Sequence, residues 1–149
     1  MIRSLALISF LAAVPAFAAP QITPGEWEVR SKVTSIAVSG MSPEMMQAMK
    51  GKGSVIRHCI TPEQAEKTPE QLFKATEGTC SYSRFSMKGG RLDAVMQCAQ
   101  PHGKMTGTIR GSYTPSSYQT VSEMKMTGPH GKMAMSSVGS GKRIGACRK

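Results

Sequence analysis

The sequence predicts a mainly β domain: a single antiparallel up-and-down meander of about seven strands, curved into a barrel or half-barrel, with short helical inserts. Apolar and polar residues alternate at Trp27–Val33 and again through most of the chain from Cys80 onward, which is typical of strands with one buried face. Turn residues separate these segments at regular intervals. A chain of 149 residues has room for one such domain with a modest core.

The first 18 residues are predicted to be a secretory signal peptide. Arg3 supplies its positive charge, Leu5–Val14 its apolar run, and Ala16-Phe17-Ala18 a small-x-small cleavage site. The apolar run is too short to cross a bilayer, and no later stretch approaches its length. We therefore expect a single exported β domain at residues 19–149, in the periplasm and not integral to the membrane.

In the first half of the domain, the sequence predicts two strands and helical inserts. In the first strand the alternation changes parity after Thr34, which predicts a β-bulge there. We predict a short helix at Met41–Lys50, with Ser42 as its N-cap, and the second strand at Ser54–Ile60. The tetrapeptide Thr-Pro-Glu-Gln at 61–64 recurs at 68–71, and each copy predicts a capping box that opens a helical turn.

From Cys80 onward the pattern is entirely β. Gly89-Gly90 predicts a two-residue hairpin between the third and fourth strands. The five predicted strands are Cys80–Met87, Arg91–Cys98, Lys104–Tyr113, Tyr118–Thr127 and Lys132–Ser140. The sequence Pro-His-Gly-Lys-Met occurs at 101–105 and again at 129–133, in turns that alternating strand direction would place at one end of the sheet, together with Cys59, Cys80 and Cys98.

The cysteines predict two disulfides, because an even number of them follows the signal peptide. They are Cys59, Cys80, Cys98 and Cys147, and their spacings of 21, 18 and 49 lack the close pairs of a four-thiolate metal site. Three connectivities are open. We expect Cys59–Cys80 with Cys98–Cys147.

The chain is basic, with 19 Lys and Arg against 9 Asp and Glu, for a net charge of +10. The excess is spread along the sequence without a block. It predicts either a weak attraction to anionic envelope surfaces or only a solubilising charge. Nucleic acid is not an expected partner, because aromatic residues are 5% of the chain and interleave with no basic run.

Several motifs resemble those of a family of small exported bacterial proteins. Pro24–Val29 resembles its opening PGxWE strand, Cys59–Gln64 its C-hydrophobic-TPEQ segment, and Gly141–Cys147 its closing GkRlGxC segment. The Gly-Gly hairpin between Cys80 and Cys98 fits as well. The family is catalogued as domain of unknown function 3617. The resemblance implies a periplasmic, disulfide-bonded protein of Gram-negative bacteria, and it carries no assigned activity or catalytic residue.

Catalysis is not expected. The chain has three histidines, and after Cys80 its acidic residues are Asp93 and Glu123. It contains no Gly-x-Ser-x-Gly, His-Glu-x-x-His or phosphate-loop motif. His58 precedes Cys59, but a disulfide would remove that thiolate.

The twelve methionines suggest two binding hypotheses. His102 with Met105 and His130 with Met133 form two His-x-x-Met units, whose imidazole and thioether groups suit Cu(I). Alternatively, these are ordinary turns, and the methionines are flexible core fillers. Copper is therefore the alternative function rather than the preferred one.

The preferred function is a non-catalytic binding or accessory protein for an apolar or amphipathic ligand. A curved sheet with few bulky aromatic residues can leave a cavity, and methionine walls adapt to varied ligands. Met41, Met45 and Met49, spaced four apart, could form a lid or partner-docking stripe, or simply a helix packed over the sheet. A module that binds other envelope proteins through a sheet edge is the third alternative. The oligomeric state is left open.

Overall fold

The computed structural model describes residues 22–67, 79–100, 103–129 and 131–148. Within them the chain forms one seven-stranded antiparallel sheet and two short helices, which confirms the predicted fold class. The elements are β1 (Gly25–Val38), α1 (Pro43–Met49), β2 (Gly53–Ile60), α2 (Pro62–Lys67), β3 (Thr79–Lys88), β4 (Arg91–Gln100), β5 (Gly103–Thr114), β6 (Ser117–Gly128) and β7 (Gly131–Gly145). The predicted signal peptide lies outside the described residues, as does the second capping box.

The strand order is β2-β1-β7-β6-β5-β4-β3. Strands β3 to β7 pair with their chain neighbours, while β1 pairs with both β2 and β7. We name the two ends of the sheet after Trp27, near the start of β1, and Met133, near the start of β7. Because all six pairs of neighbouring strands are antiparallel, β2 and β3 run in the same direction on opposite edges. Ile60 therefore lies at the Trp27 end and Thr79 at the Met133 end. No pairing between described residues joins β2 to β3, so the sheet is open.

The bulge predicted in β1 is confirmed. The register of β1 on β7 shifts between Val33, which pairs with Ser137, and Ser35, which pairs with Ser136. The extra residue returns Ile36 to the face of the sheet that also holds Trp27. We call this the inward face, and the opposite one the outward face.

The core lies on the inward face at the Trp27 end. Trp27 is fully buried, its indole Nε1 donates a hydrogen bond of 3.0 Å to the Thr23 carbonyl, and its ring stacks on Tyr118 with centroids 6.0 Å apart. The buried cluster comprises Ile22, Trp27, Ile60, Ala65, Met87, Leu92, Ala94 and Ile109. Because this cluster takes residues from both edge strands, β2 and β3, the sheet is curled and the half-barrel alternative applies.

Both helices begin at the predicted caps. Ser42 Oγ accepts a hydrogen bond from the Met45 amide at 3.3 Å at the start of α1. Thr61 and Gln64 form the reciprocal capping box of α2: the Thr61 amide donates to Gln64 Oε1 at 2.9 Å, and the Gln64 amide to Thr61 Oγ1 at 3.2 Å. Neither helix is long and apolar enough to cross a membrane, and the same holds throughout the described residues.

The hairpin between β3 and β4 is confirmed, since Gly89 and Gly90 have φ angles of 58° and 75°, which favour glycine. Strand β7 runs to Gly145, five residues beyond the predicted Ser140. The reason is its pairing with β1, which continues as far as Glu26 opposite Gly145. The closing segment Gly141–Cys147 is therefore largely strand.

The predicted disulfide pairing is wrong. The bonds join Cys59 to Cys147, with Cα atoms 5.4 Å apart, and Cys80 to Cys98, with Cα atoms 4.0 Å apart. The expectation that Cys59 shares an end of the sheet with Cys80 and Cys98 is also wrong. It assumed that β2 and β3 are antiparallel neighbours, whereas they lie on opposite edges and run in the same direction. Cys80 instead faces Cys98 across β3 and β4.

Removing the Cys59–Cys147 bond should destabilise the protein more than removing Cys80–Cys98. The two bonds span 88 and 18 residues. In the chain-entropy account, the longer loop contributes about 4–5 kcal/mol and the shorter about 3 kcal/mol to the free energy of unfolding. Urea unfolding of the paired Cys→Ser variants measures this difference. Peptide mapping without reduction is the companion experiment, and finding Cys59 bonded to Cys80 would contradict the assignment.

Truncating the buried indole should lower the free energy of unfolding strongly. Trp27→Ala is expected to lose about 3–5 kcal/mol, because it leaves a cavity beside Tyr118. Trp27→Phe keeps a ring there and loses the hydrogen bond to Thr23, so a smaller loss is expected. Circular dichroism during urea unfolding provides the measurement. Val121→Ala serves as the control, since that side chain is 52% exposed. Equal losses in Trp27→Ala and the control would contradict this account of the core.

Candidate functional site

The methionines of β3 to β7 share the inward face. Met133 pairs with Met126, and Met126 with Met105, while Met135 pairs with Met124. Directly opposed residues of an antiparallel pair have side chains on the same face. The inward methionines are Met87, Met96, Met105, Met124, Met126, Met133 and Met135. All but Met87 form two adjacent rows that cross the strands. The first row contains Met105, Met126 and Met133, and the second contains Met96, Met124 and Met135.

Glycine makes room within the second row. Gly107 lies between Met96 on β4 and Met124 on β6. A Cβ atom at Gly107 would stand 3.6 Å from Met124 Cγ and 3.7 Å from Met96 Cε. The two methionine side chains therefore approach each other above the glycine backbone.

Burial divides these methionines into two groups. Met87 and Met96 are 4% and 1% exposed and belong to the interior, as core fillers do. The half-buried ones form what we call the methionine surface: Met105, Met124, Met126, Met133 and Met135. The methionine surface lies on β5, β6 and β7. The buried cluster around Trp27 has only Ile109 on these strands, and its other residues lie on β1 to β4 or outside the sheet. The methionine surface therefore extends the inward face beyond the core, toward the Met133 end.

Of the two His-x-x-Met units, the structure describes the methionines. His102 and His130 lie outside the described residues. Met105 and Met133 both lie on the inward face at the Met133 end, with Met126 between them in the same row. Sequence reasoning did not assign Met126 to this unit. The signal that could have done so is the short β6–β7 connection, whose register sets Met126 opposite Met133.

Carboxylates and thiolates do not complete a metal site here. The described residues contain no group of three or more His, Cys, Asp and Glu side chains that could hold a metal ion. Thioethers are therefore the soft donors that the described part of this end can offer.

The predicted stripe of Met41, Met45 and Met49 is not one helical face. Helix α1 begins at Pro43, so Met41 precedes it, and no residue of the helix is buried. Met45 and Met49 are 59% and 36% exposed. The half-buried methionine of this helix is Met46, which the spacing argument did not select. Met46 lines a groove of about 410 Å³ together with residues of β1, β6 and β7, including Met126 and Met133.

Burial favours the neutral form of two titratable groups on the inward face at the Trp27 end, His58 and Tyr118. Burial lowers the pKa of His58, which faces Trp27 from β2. Burial raises the pKa of Tyr118 to about 12. The thiol of Cys59 is held in a disulfide, so it provides no thiolate beside His58. Cys59 is therefore not a nucleophile that His58 could activate.

Charge is segregated to the outward face of the sheet. Within the described strands, Arg143 is the one charged side chain at an inward position, and its Nε donates a hydrogen bond of 2.7 Å to the Pro24 carbonyl. The exposed outward cations are Arg30, Lys32, Arg57, Arg84, Lys88, Arg91, Lys104, Arg110, Lys125, Lys132 and Lys142. The outward carboxylates are Glu26, Glu28, Asp93 and Glu123. The excess that is scattered in sequence therefore becomes a basic face.

Ion pairs occupy three of these carboxylates, and Glu26 binds Arg148 at 3.2 Å. Glu28 binds Arg30 at 2.7 Å and Arg57 at 2.9 Å, and the hydrogen bonds from Arg57 and then Arg30 lower its pKa. Asp93 lies 2.7 Å from Arg84 and 3.5 Å from Arg110. Because Glu28 and Asp93 each have two cationic neighbours, their clusters still carry excess positive charge.

Comparison with known proteins identifies the family. No curated protein and no solved structure matches the chain. The match to a family model covers residues 22–147, which include the strand that opens with Pro24-Gly25, both disulfides and the whole sheet. The resemblance seen in the sequence is thereby confirmed, and the chain belongs to the family described as "Protein of unknown function (DUF3617)".

Proposed function

We propose that this protein is an exported, non-catalytic binding protein that holds an apolar or amphipathic ligand on the methionine surface. The observation that carries the proposal is the position of Met105, Met124, Met126, Met133 and Met135, half-buried together on the inward face and beyond the core. Flexible thioether side chains adapt their shape to varied apolar ligands. Covering them would remove further apolar area from water and so favour binding.

The surface is elongated rather than round. The residues that pair across the strands in its first row are Val38, Met133, Met126 and Met105, followed by the disulfide-bonded Cys98 and Cys80. Six strands take part, and at a strand spacing of about 4.8 Å the row is about 24 Å long. This shape favours an extended apolar chain over a compact molecule.

Export is supported by two independent features. The two disulfides are typical of proteins in oxidising compartments outside the cytoplasm. The predicted signal peptide at residues 1–18 would direct the chain there, and the periplasm is the proposed location. The intact mass of the recovered protein measures both removal of this segment and loss of the four thiol hydrogens.

Polar substitution on the methionine surface should weaken ligand binding. A fluorescent long-chain polyene fatty acid serves as the probe, and native mass spectrometry reports any ligand that copurifies. Met126→Ser with Met133→Ser should lower the affinity about tenfold or more, because it removes apolar area that the ligand would cover. A tenfold loss of affinity corresponds to about 1.4 kcal/mol of binding free energy. Met126→Leu with Met133→Leu should stay within about threefold, because leucine preserves the apolar area.

The control places the same change on the other face. Val121→Ser with Val138→Ser alters outward side chains that are 52% and 39% exposed, and the affinity for the fatty acid should not change. A wild-type protein that binds no probe and carries no ligand would overturn the proposal. Equal losses in the inward and outward variants would also contradict it.

Cu(I) binding is the second candidate, favoured by the row that contains Met105, Met126 and Met133. These residues occupy successive facing positions on β5, β6 and β7. Neighbouring strands are separated by about 4.8 Å, which lets long thioether side chains converge on one ion. Thioethers bind Cu(I) in preference to harder ions.

Leucine separates the two candidates, because it removes the sulfur and keeps the apolar volume. Met126→Leu should reduce Cu(I) affinity about tenfold or more, given that a lost ligand is worth at least about 1.4 kcal/mol, and leave the fatty-acid affinity unchanged. Competition with a chromophoric Cu(I) chelator measures this. Tight Cu(I) binding that persists in Met126→Leu would exclude the thioether row. The variant His102→Ala with His130→Ala then tests the two histidines.

A further inference from the structure

We propose that the outward face of the sheet docks onto an anionic membrane surface, through a strip that crosses β5, β6, β7 and β1. The proposal is independent of the ligand held on the methionine surface, since it concerns the opposite face. It combines two observations: the concentration of cations on the outward face, and the presence of exposed apolar side chains among them.

The strip has apolar residues at its centre and cations at its ends. Val121 on β6 pairs with Val138 on β7, and their side chains are 52% and 39% exposed. In the same cross-strand row, Arg110 flanks Val121 on β5, and Lys32 flanks Val138 on β1. A groove of about 570 Å³ lies over this row and includes Arg30 in its lining.

Lysines extend the positive charge along the same two strands. Lys125 lies beyond Val121 toward the Met133 end, with the exposed Glu123 between them, and Lys142 lies beyond Val138 toward the Trp27 end. Neither forms an ion pair within the part of the chain that the structure describes. Their charge is available to an external partner.

The apolar centre favours a lipid surface over a soluble polyanion. Each Lys or Arg near an anionic leaflet strengthens binding by about fivefold. Apolar side chains between such cations can enter the boundary between headgroups and acyl chains, as they do in interfacial proteins. A soluble acidic polymer has no such layer, so it would gain nothing from Val121 and Val138.

Vesicle sedimentation tests the proposal, using protein whose intact mass shows that residues 1–18 have been removed. The probes are vesicles of phosphatidylcholine alone and vesicles with an equal amount of phosphatidylglycerol. Binding is expected only to the anionic vesicles, and it should be lost at about 1 M salt, where the screening length is about 3 Å. Lys125→Glu with Lys142→Glu should lower the partition coefficient about tenfold or more.

The matched control changes the net charge equally at another place. Lys88→Glu with Arg91→Glu lies at the exposed β3–β4 hairpin, on strands that are three and two positions away from β6 and outside the strip, and should have a much smaller effect. Val121→Ser with Val138→Ser should weaken vesicle binding while leaving fatty-acid affinity intact. Equal effects of the two charge variants would overturn the proposal, as would binding unaffected by the valine substitutions, which would indicate a general polyanion site.

Discussion

The pairing of β1 with β7 is the interaction on which the rest of the structure depends. It comprises twelve residue pairs and joins the amino-terminal hairpin to the carboxyl end of the meander. Through it, Trp27 reaches Tyr118 on β6, and Cys59 on β2 reaches Cys147 beyond β7. Because β1 already has neighbours on both sides, β2 and β3 are left as the two edges, and the sheet curls without closing.

This curl separates two environments on one face of the sheet. At the Trp27 end, bulky side chains from both edges meet, and Trp27, Ile22 and Ile60 are almost completely buried. Toward the Met133 end, the same face carries unbranched methionines that are only half-buried. In the proposed function, stability and binding thus lie at different ends, and the methionine surface would adapt its shape without disturbing the packing around Trp27.

The two faces of the sheet differ as strongly as its two ends. Successive residues of a strand point to opposite faces, so a simple alternation of Met or Ser with Lys places thioethers on one face and ammonium groups on the other. In β6, Met124 and Met126 face inward on either side of the outward Lys125. A cationic exterior around an apolar interior suits a protein that works beside anionic lipid and handles an apolar molecule.

The sequence by itself determined the local features: the strands, the Gly89-Gly90 hairpin, the bulge near Thr34, and the caps at Ser42 and Thr61. Each depends on residues a few positions apart, and their dihedral preferences and hydrogen bonds are nearly independent of the rest of the chain. Tertiary structure alone decided which cysteines pair, how deeply each methionine is buried, and that Met46 lines the groove beside the sheet. These depend on which distant strands become neighbours, and the period-2 pattern is the same whichever partner a strand has.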